Sequence, residues 1–168
     1  MTLAKCQPAE VPCETVDAIF AALGIDESFL DESTDKATNE STPEGRPWVL
    51  HVEDDRELSA ALQARLEAHG ISVVRAHDGT SGVRTALGRQ ASAIILDYEL
   101  PNGQGDYVLA RLKSNPITNR IPVIILTGMR DRHLQRRLLG MGAARFFNKP
   151  VDFAKLLEEL KSHVAIGT

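Results

Sequence analysis

Polar residues of a few chemically useful types stand where short apolar or aromatic runs stop. Trp48 to Val52 breaks at the acid cluster Glu53-Asp54-Asp55, and Ala93-Ile94-Ile95-Leu96 runs into Asp97. Ile121 to Thr127 closes on a hydroxyl, and Arg145 to Asn148 is followed by Lys149. Short apolar runs of this kind suit strands buried on both faces of a parallel sheet. All the carboxyl ends of such a sheet meet at one edge, the edge where open α/β sheets bind ligands. Glu53, Asp54, Asp97, Thr127 and Lys149 would therefore converge from separated parts of the chain.

Three clustered carboxylates repel one another, and burying them unpaired would drive their protons back on. A hard divalent cation removes the conflict. Magnesium prefers oxygen ligands and accepts one or two carboxylates together with phosphate oxygens. Glu53, Asp54 and Asp97 match that demand, with the backbone carbonyl of Glu99 as a further ligand. Lys149 is a point cation able to pair with Asp97 or with an anion attached to it. Thr127 can donate a hydrogen bond to the same anion. The chemistry these types support is phosphoryl transfer onto Asp97, with Mg2+ and Lys149 stabilising the transferring group. The plainer alternatives are helix capping for the acids, a solvent-facing strand end for Thr127 and Lys149, and a simple core aromatic for Phe146. Asp55 is the natural cap, which leaves Glu53 and Asp54 for the metal.

The elements that must position these side chains follow a regular beat from Trp48. The first strand, Trp48 to Val52, leads to a helix reaching about His69, with Leu58, Ala61, Leu62, the Arg65 stem and Leu66 inward and Gly70 as its stop. Ile71 to Ala76 is a second strand, and a helix from about Thr80 to Arg89 follows. The strand carrying Asp97 gives way, after Pro101, to a helix from about Gly105 to Asn115. Ile121 to Thr127 precedes a polar helix over roughly Asp131 to Met141. The short strand Arg145 to Asn148 precedes a last helix with Phe153, Leu156, Leu157, Leu160 and Val164 as its core positions. Five strand–helix pairs in strict alternation predict a flavodoxin-like, doubly wound, five-stranded parallel sheet with helices on both faces.

The chain has 168 residues, 43% hydrophobic and 25% charged, the composition of one ordinary globular domain with a tail. No apolar run approaches the ~20 residues that cross a bilayer, and the start lacks a signal-peptide pattern, so a cytoplasmic location is expected. Cys6 and Cys13 have no ligand partners nearby and are expected to be reduced and incidental. Charge is split unevenly: residues 1–46 hold ten acids and three bases, and residues 47–168 thirteen acids and sixteen bases. The acidic arm over 1–46 has one helix expected at about 15–23, capped by Thr15, and a linker expected to be disordered at about 31–46. The domain proper is placed at 47–168.

The segments Leu50-His51-Val52-Glu53-Asp54-Asp55, Ile94-Ile95-Leu96-Asp97-Tyr98-Glu99-Leu100-Pro101, Val123-Ile124-Ile125-Leu126-Thr127-Gly128 and Phe146-Phe147-Asn148-Lys149-Pro150 together resemble the receiver domain of two-component response regulators, most of all its chemotaxis type. The resemblance spans about Trp48 to Val164, and the intervals from Asp97 to Thr127 and from Thr127 to Lys149 agree with it. It implies that Asp97 is the phosphoacceptor served by a sensor histidine kinase or phosphotransfer protein, and that Glu53 and Asp54 are the metal pair. It implies that Thr127 and Phe146 are the switch residues, that Lys149 is the site lysine, and that Lys149-Pro150 is cis. Phe146 departs from the family's tyrosine in lacking a hydroxyl.

The same resemblance makes the fourth helix, fifth strand and fifth helix an output face, for an unknown partner protein or a homodimer. The basic run from Arg130 to Arg145 falls there. Nucleic acid is not expected as a partner, because the chain is acidic and carries no recognition motif. The domain would catalyse only its own phosphorylation and dephosphorylation. A small Mg-dependent phosphohydrolase with an aspartyl-phosphate intermediate would share the nucleophile, but would want a second acid two residues on, where Glu99 is an imperfect substitute. A receiver-like scaffold that is never phosphorylated would not need an intact site.

Overall fold

The structure is a computed structural model that describes residues 46–101 and 105–164. Apart from Arg46, the expected acidic arm, with its helix and linker, lies outside the described residues. The elements in order are β1 (Trp48–Val52), α1 (Arg56–Glu67), β2 (Ser72–Ala76), α2 (Gly79–Gly88), β3 (Ala93–Asp97), α3 (Gly105–Ser114), β4 (Val123–Thr127), α4 (Arg132–Gly140), β5 (Arg145–Asn148) and α5 (Phe153–His163). All strand pairs are parallel, in the spatial order β2-β1-β3-β4-β5. This is the flavodoxin-like architecture expected from the alternation.

The three central strands, β1, β3 and β4, are buried at every residue, which is why they read as unbroken runs instead of alternating ones. Alternation along each strand divides the core into two layers. Leu50, Val52, Ile94, Leu96, Val123 and Ile125 point to the side covered by α2, α3 and α4. Val49, Ala93, Ile95, Ile124 and Leu126 point to the side covered by Leu62 and Leu66 of α1 and by Leu156 and Leu160 of α5. The two adjacent aromatics of β5 part ways, Phe146 packing on the first layer and Phe147 on the second.

One expectation about α1 is corrected. Leu58 is 41% exposed and Ala61 is also exposed, while Ser59 is fully buried. The helix is turned so that Ser59 reaches under the sheet to His51, its Oγ lying 3.0 Å from His51 Nδ1. A hydrogen-bonded polar pair thus takes an inward position that hydrophobic periodicity alone assigns to leucine. Asp55 caps α1 as expected, accepting from the N–H groups of Glu57 and Leu58. Gly70, at φ +78°, ends the excursion beyond the helix in the left-handed region.

Candidate functional site

The strand order reverses direction between β1 and β3, so the loops that leave their carboxyl ends split apart and open a crevice. Register levels the strand ends: Val52 pairs with Leu96, Asp97 with Leu126, and Thr127 with Asn148. Glu53, Asp97, Thr127 and Lys149 therefore emerge side by side. One ligand oxygen from each of Glu53, Asp54 and Asp97 lies within 4.8 Å of the others. Glu53 and Asp97 are 1% and 3% exposed, and Asp54 faces solvent.

Lys149 is the cation that answers this charge. Its Nζ donates to Glu53 Oε2 at 2.8 Å and lies 3.3 Å from Asp97 Oδ2. Burial works against the ammonium, but the bond to Glu53 and the charges of Asp97 and Glu53 outweigh it and hold its pKa above the ordinary lysine value. The Glu53 carboxyl is raised, by burial first and by the Asp97 charge as well, although Lys149 pulls it the other way. One ammonium stands against three clustered carboxylates, too few charges to neutralise the group. An all-oxygen donor set with uncompensated negative charge, two of its members buried, fits a hard dication and not a soft one.

The surrounding loops are tied to one another. Glu99 N donates to Asp97 Oδ1 at 3.2 Å, and Gly128 N donates to Glu99 Oε2 at 2.9 Å. The Thr127 hydroxyl, fully buried, accepts from Met129 N at 3.0 Å, and the Thr127 carbonyl accepts from Lys149 N at 2.8 Å. Asn148 Nδ2 donates to the Met129 carbonyl at 2.7 Å, and the Lys149-Pro150 bond is cis. Phe146 stands half-buried in β5, paired with Ile125 and two residue pairs from Thr127.

Two participants escape sequence reasoning. Arg75, near the end of β2, donates from Nε to the Glu53 carbonyl at 3.1 Å and from Nη2 to the Asp54 carbonyl at 2.6 Å. Its sign in the sequence is a lone guanidinium in a strand otherwise apolar at its centre. Arg137 of α4 reaches Tyr98 Oη at 3.1 Å and Asp106 Oδ2 at 2.9 Å, joining α4 to the residue after Asp97. Nothing in the spacing of those three announces the contact.

Comparison with known proteins agrees with this geometry. The response regulator receiver domain model matches residues 49–161. The chain is 33% identical over 114 residues to the transcriptional regulatory protein YkoG of Bacillus subtilis, covering 68% of this chain and 49% of that one. It is 28% identical to the hybrid signal transduction histidine kinase D of Dictyostelium discoideum over 86% of this chain and 9% of that one. A response regulator crystal structure from Chloroflexus aurantiacus superposes with a TM-score of 0.67 at 26% identity, covering 72% of this chain and 99% of that one. The chain spans about half the length, or less, of these two curated relatives. No helix among the described residues is long and apolar enough to cross a membrane. With a matching family model over most of its length and a matching fold, this chain belongs to the receiver domains of two-component response regulators, which are phosphorylation-dependent signalling switches.

Proposed function

We propose that Asp97 is the phosphoacceptor of this receiver, taking a phosphoryl group from a sensor histidine kinase or phosphotransfer protein. The observation that carries this is a nearly buried carboxylate at a strand end, 3.3 Å from a lysine ammonium and clustered with two further acids. Glu53, Asp54 and Asp97, with the Glu99 carbonyl, would hold Mg2+. When bound, the ion supplies charge neutralisation at the transferring phosphoryl oxygens. Asp97 supplies the attacking oxygen, which bonds to phosphorus as the bond from phosphorus to the donor nitrogen or oxygen breaks. Lys149 turns its ammonium from the carboxylates toward the new negative oxygens. Thr127 gives up Met129 N and offers its hydroxyl to the same oxygens, and Phe146, two residue pairs back on the adjacent β5, follows its movement. These are the switch residues.

The domain performs this transfer on itself only, and it passes the result on by protein contact. The face of α4, β5 and α5 suits that output. An open groove between β5 and α5 is lined by Arg145, Phe146, Phe147, Lys155 and Glu159 among others, and it would seat a partner protein or a second copy. We read the domain as cytoplasmic on its family alone. Incubation with acetyl phosphate and Mg2+, followed by intact mass, tests the central assignment. One phosphoryl adduct is expected, absent from Asp97→Asn and absent without the metal. An adduct that survives Asp97→Asn at wild-type yield would defeat it.

A further inference from the structure

Helix α4 is lightly anchored. It has nine residues, the fewest of the five described helices, and buries only Leu134 and Leu138. Arg132, His133, Arg136 and Leu139 stand in solvent. An element with so few buried apolar contacts lies at the low end of local stability, where one polar tie weighs heavily. Arg137, in the last turn, supplies that tie. Its Nη2 donates to Tyr98 Oη at 3.1 Å and to Asp106 Oδ2 at 2.9 Å. Among the described residues, no other exposed side chain of α4 bonds to another element.

Both acceptors are fixed points beside the reactive carboxylate. Tyr98 follows Asp97 directly, and it is buried. Its N–H donates to the Leu126 carbonyl at 3.0 Å and its carbonyl accepts from Gly105 N at 2.9 Å. Asp106 sits in the first turn of α3, its side chain a quarter exposed. The exit of α4 is therefore pinned to the wall of the site, while its entry hangs on the site's hydroxyl. Thr127 Oγ1 holds Met129 N at 3.0 Å, and only Arg130 and Asp131 stand between Met129 and the helix. When Thr127 leaves that amide for a phosphoryl oxygen, the entry is freed. A short helix moves as a unit, so a shift at its entry reaches its exit, and hydrogen bonds of about 3 Å tolerate little lengthening.

We infer that Arg137 is a latch: its bonds to Tyr98 and Asp106 hold α4 in a resting seat, and phosphorylation of Asp97 releases the helix by breaking them. The inference rests on Asp97 being the phosphoacceptor. The resting and released seats of α4 differ by these bonds, which supply the difference in free energy that a two-state element requires. Because α4 belongs to the face proposed for output, the latch decides which arrangement of that face a partner meets.

Amide hydrogen exchange of the full chain with Mg2+, before and after acetyl phosphate, tests the latch. In the transfer an Asp97 oxygen bonds to phosphorus, the bond from phosphorus to the acyl oxygen breaks, and acetate leaves with the electron pair. Arg137→Gln removes the charge, Asp106→Asn keeps an acceptor without the charge, and Tyr98→Phe keeps the ring without the hydroxyl. Before the phosphodonor is added, the α4 amides of Arg137→Gln should exchange about tenfold faster than those of wild type, the worth of one charge-assisted hydrogen bond, while α1 and α5 keep wild-type rates. Tyr98→Phe and Asp106→Asn should each give a smaller rise, about threefold. After acetyl phosphate, wild-type α4 should exchange as fast as Arg137→Gln does before it, and Arg137→Gln should change little further. An arginine that only stabilises the fold would leave the phosphorylation-dependent rise intact in the variant. Wild-type α4 exchange in unphosphorylated Arg137→Gln overturns the latch, as does a rise shared equally by α1 and α5, or phosphorylated wild type whose α4 exchanges no faster than before. If intact mass shows no adduct on wild type, the phosphoacceptor assignment fails, and the unphosphorylated comparison still decides whether Arg137 holds α4.

Discussion

The ammonium of Lys149 sits closer to Glu53 than to Asp97, at 2.8 Å against 3.3 Å. In the resting domain the lysine is thus first the counter-ion of the most deeply buried acid and only second a neighbour of the reactive one. Replacing it by methionine strands a carboxylate that is 1% exposed beside two others. Because Lys149 is itself about a quarter exposed, the loss should be smaller than for a fully buried pair, about 2 kcal/mol. Urea unfolding of Lys149→Met without metal checks this, and stability equal to wild type would contradict it. Added Mg2+ should recover most of the loss.

Metal binding should itself register as stability. At a concentration a hundredfold above its dissociation constant, Mg2+ should add about 2.7 kcal/mol to unfolding. Asp54 is exposed and makes no side-chain ion pair among the described residues, so Asp54→Asn should leave the metal-free domain nearly as stable as wild type. The same change should weaken the metal by roughly tenfold, since it takes one of few charged oxygens from the site. Thermal unfolding across a magnesium titration distinguishes the two effects.

His51 predicts a pH dependence. Burial above all, with the Lys149 and Arg75 charges, lowers its pKa from 6.5 to about 3. The unfolded chain gains a proton as pH drops below 6.5, whereas the folded chain stays neutral at this ring until about 3. Stability is therefore lost as pH falls through that window, at about 1.4 kcal/mol per pH unit at full slope from this one residue. His51→Leu should flatten the slope of stability against pH by one proton, at the cost of the Ser59 bond. An unchanged slope would remove His51 from the account.

Glycines divide by what surrounds them. A methyl at Gly105 would meet the Tyr98 Cα at 2.7 Å and the Asp97 carbonyl at 3.0 Å, both backbone. Gly105→Ala should cost about 2 kcal/mol and displace the loop beside Asp97. Gly140, the last residue of α4, has open space at the same position. Gly140→Ala should instead gain about 0.5 kcal/mol by helix propensity. Paired unfolding curves test both signs at once.

Much of this molecule is legible in its sequence because its central strands are buried on both faces and so are written as uninterrupted apolar runs. The runs ending at Val52, Asp97 and Thr127 locate three strands nearly to the residue, and strand ends locate the site. What hides is whatever depends on the rotation of an element or on the reach of a long side chain. The inward turn of Ser59 follows from a partner eight residues earlier on another element, which no helical period encodes. Glu99, Arg75 and Arg137 act through side chains that cross from one element or loop to another, and spacing along the chain carries no trace of those crossings.

The guanidinium of Arg75 is directed at the main-chain oxygens of Glu53 and Asp54 and not at their carboxylates. It steadies the turn like a clamp on the frame of a lens, without touching the glass. Had it gripped the acid groups themselves, their valence would be quenched and a dication would find little to coordinate. Held by its skeleton instead, the loop is preorganised and still hungry for positive charge, and an arriving ion need not order it first.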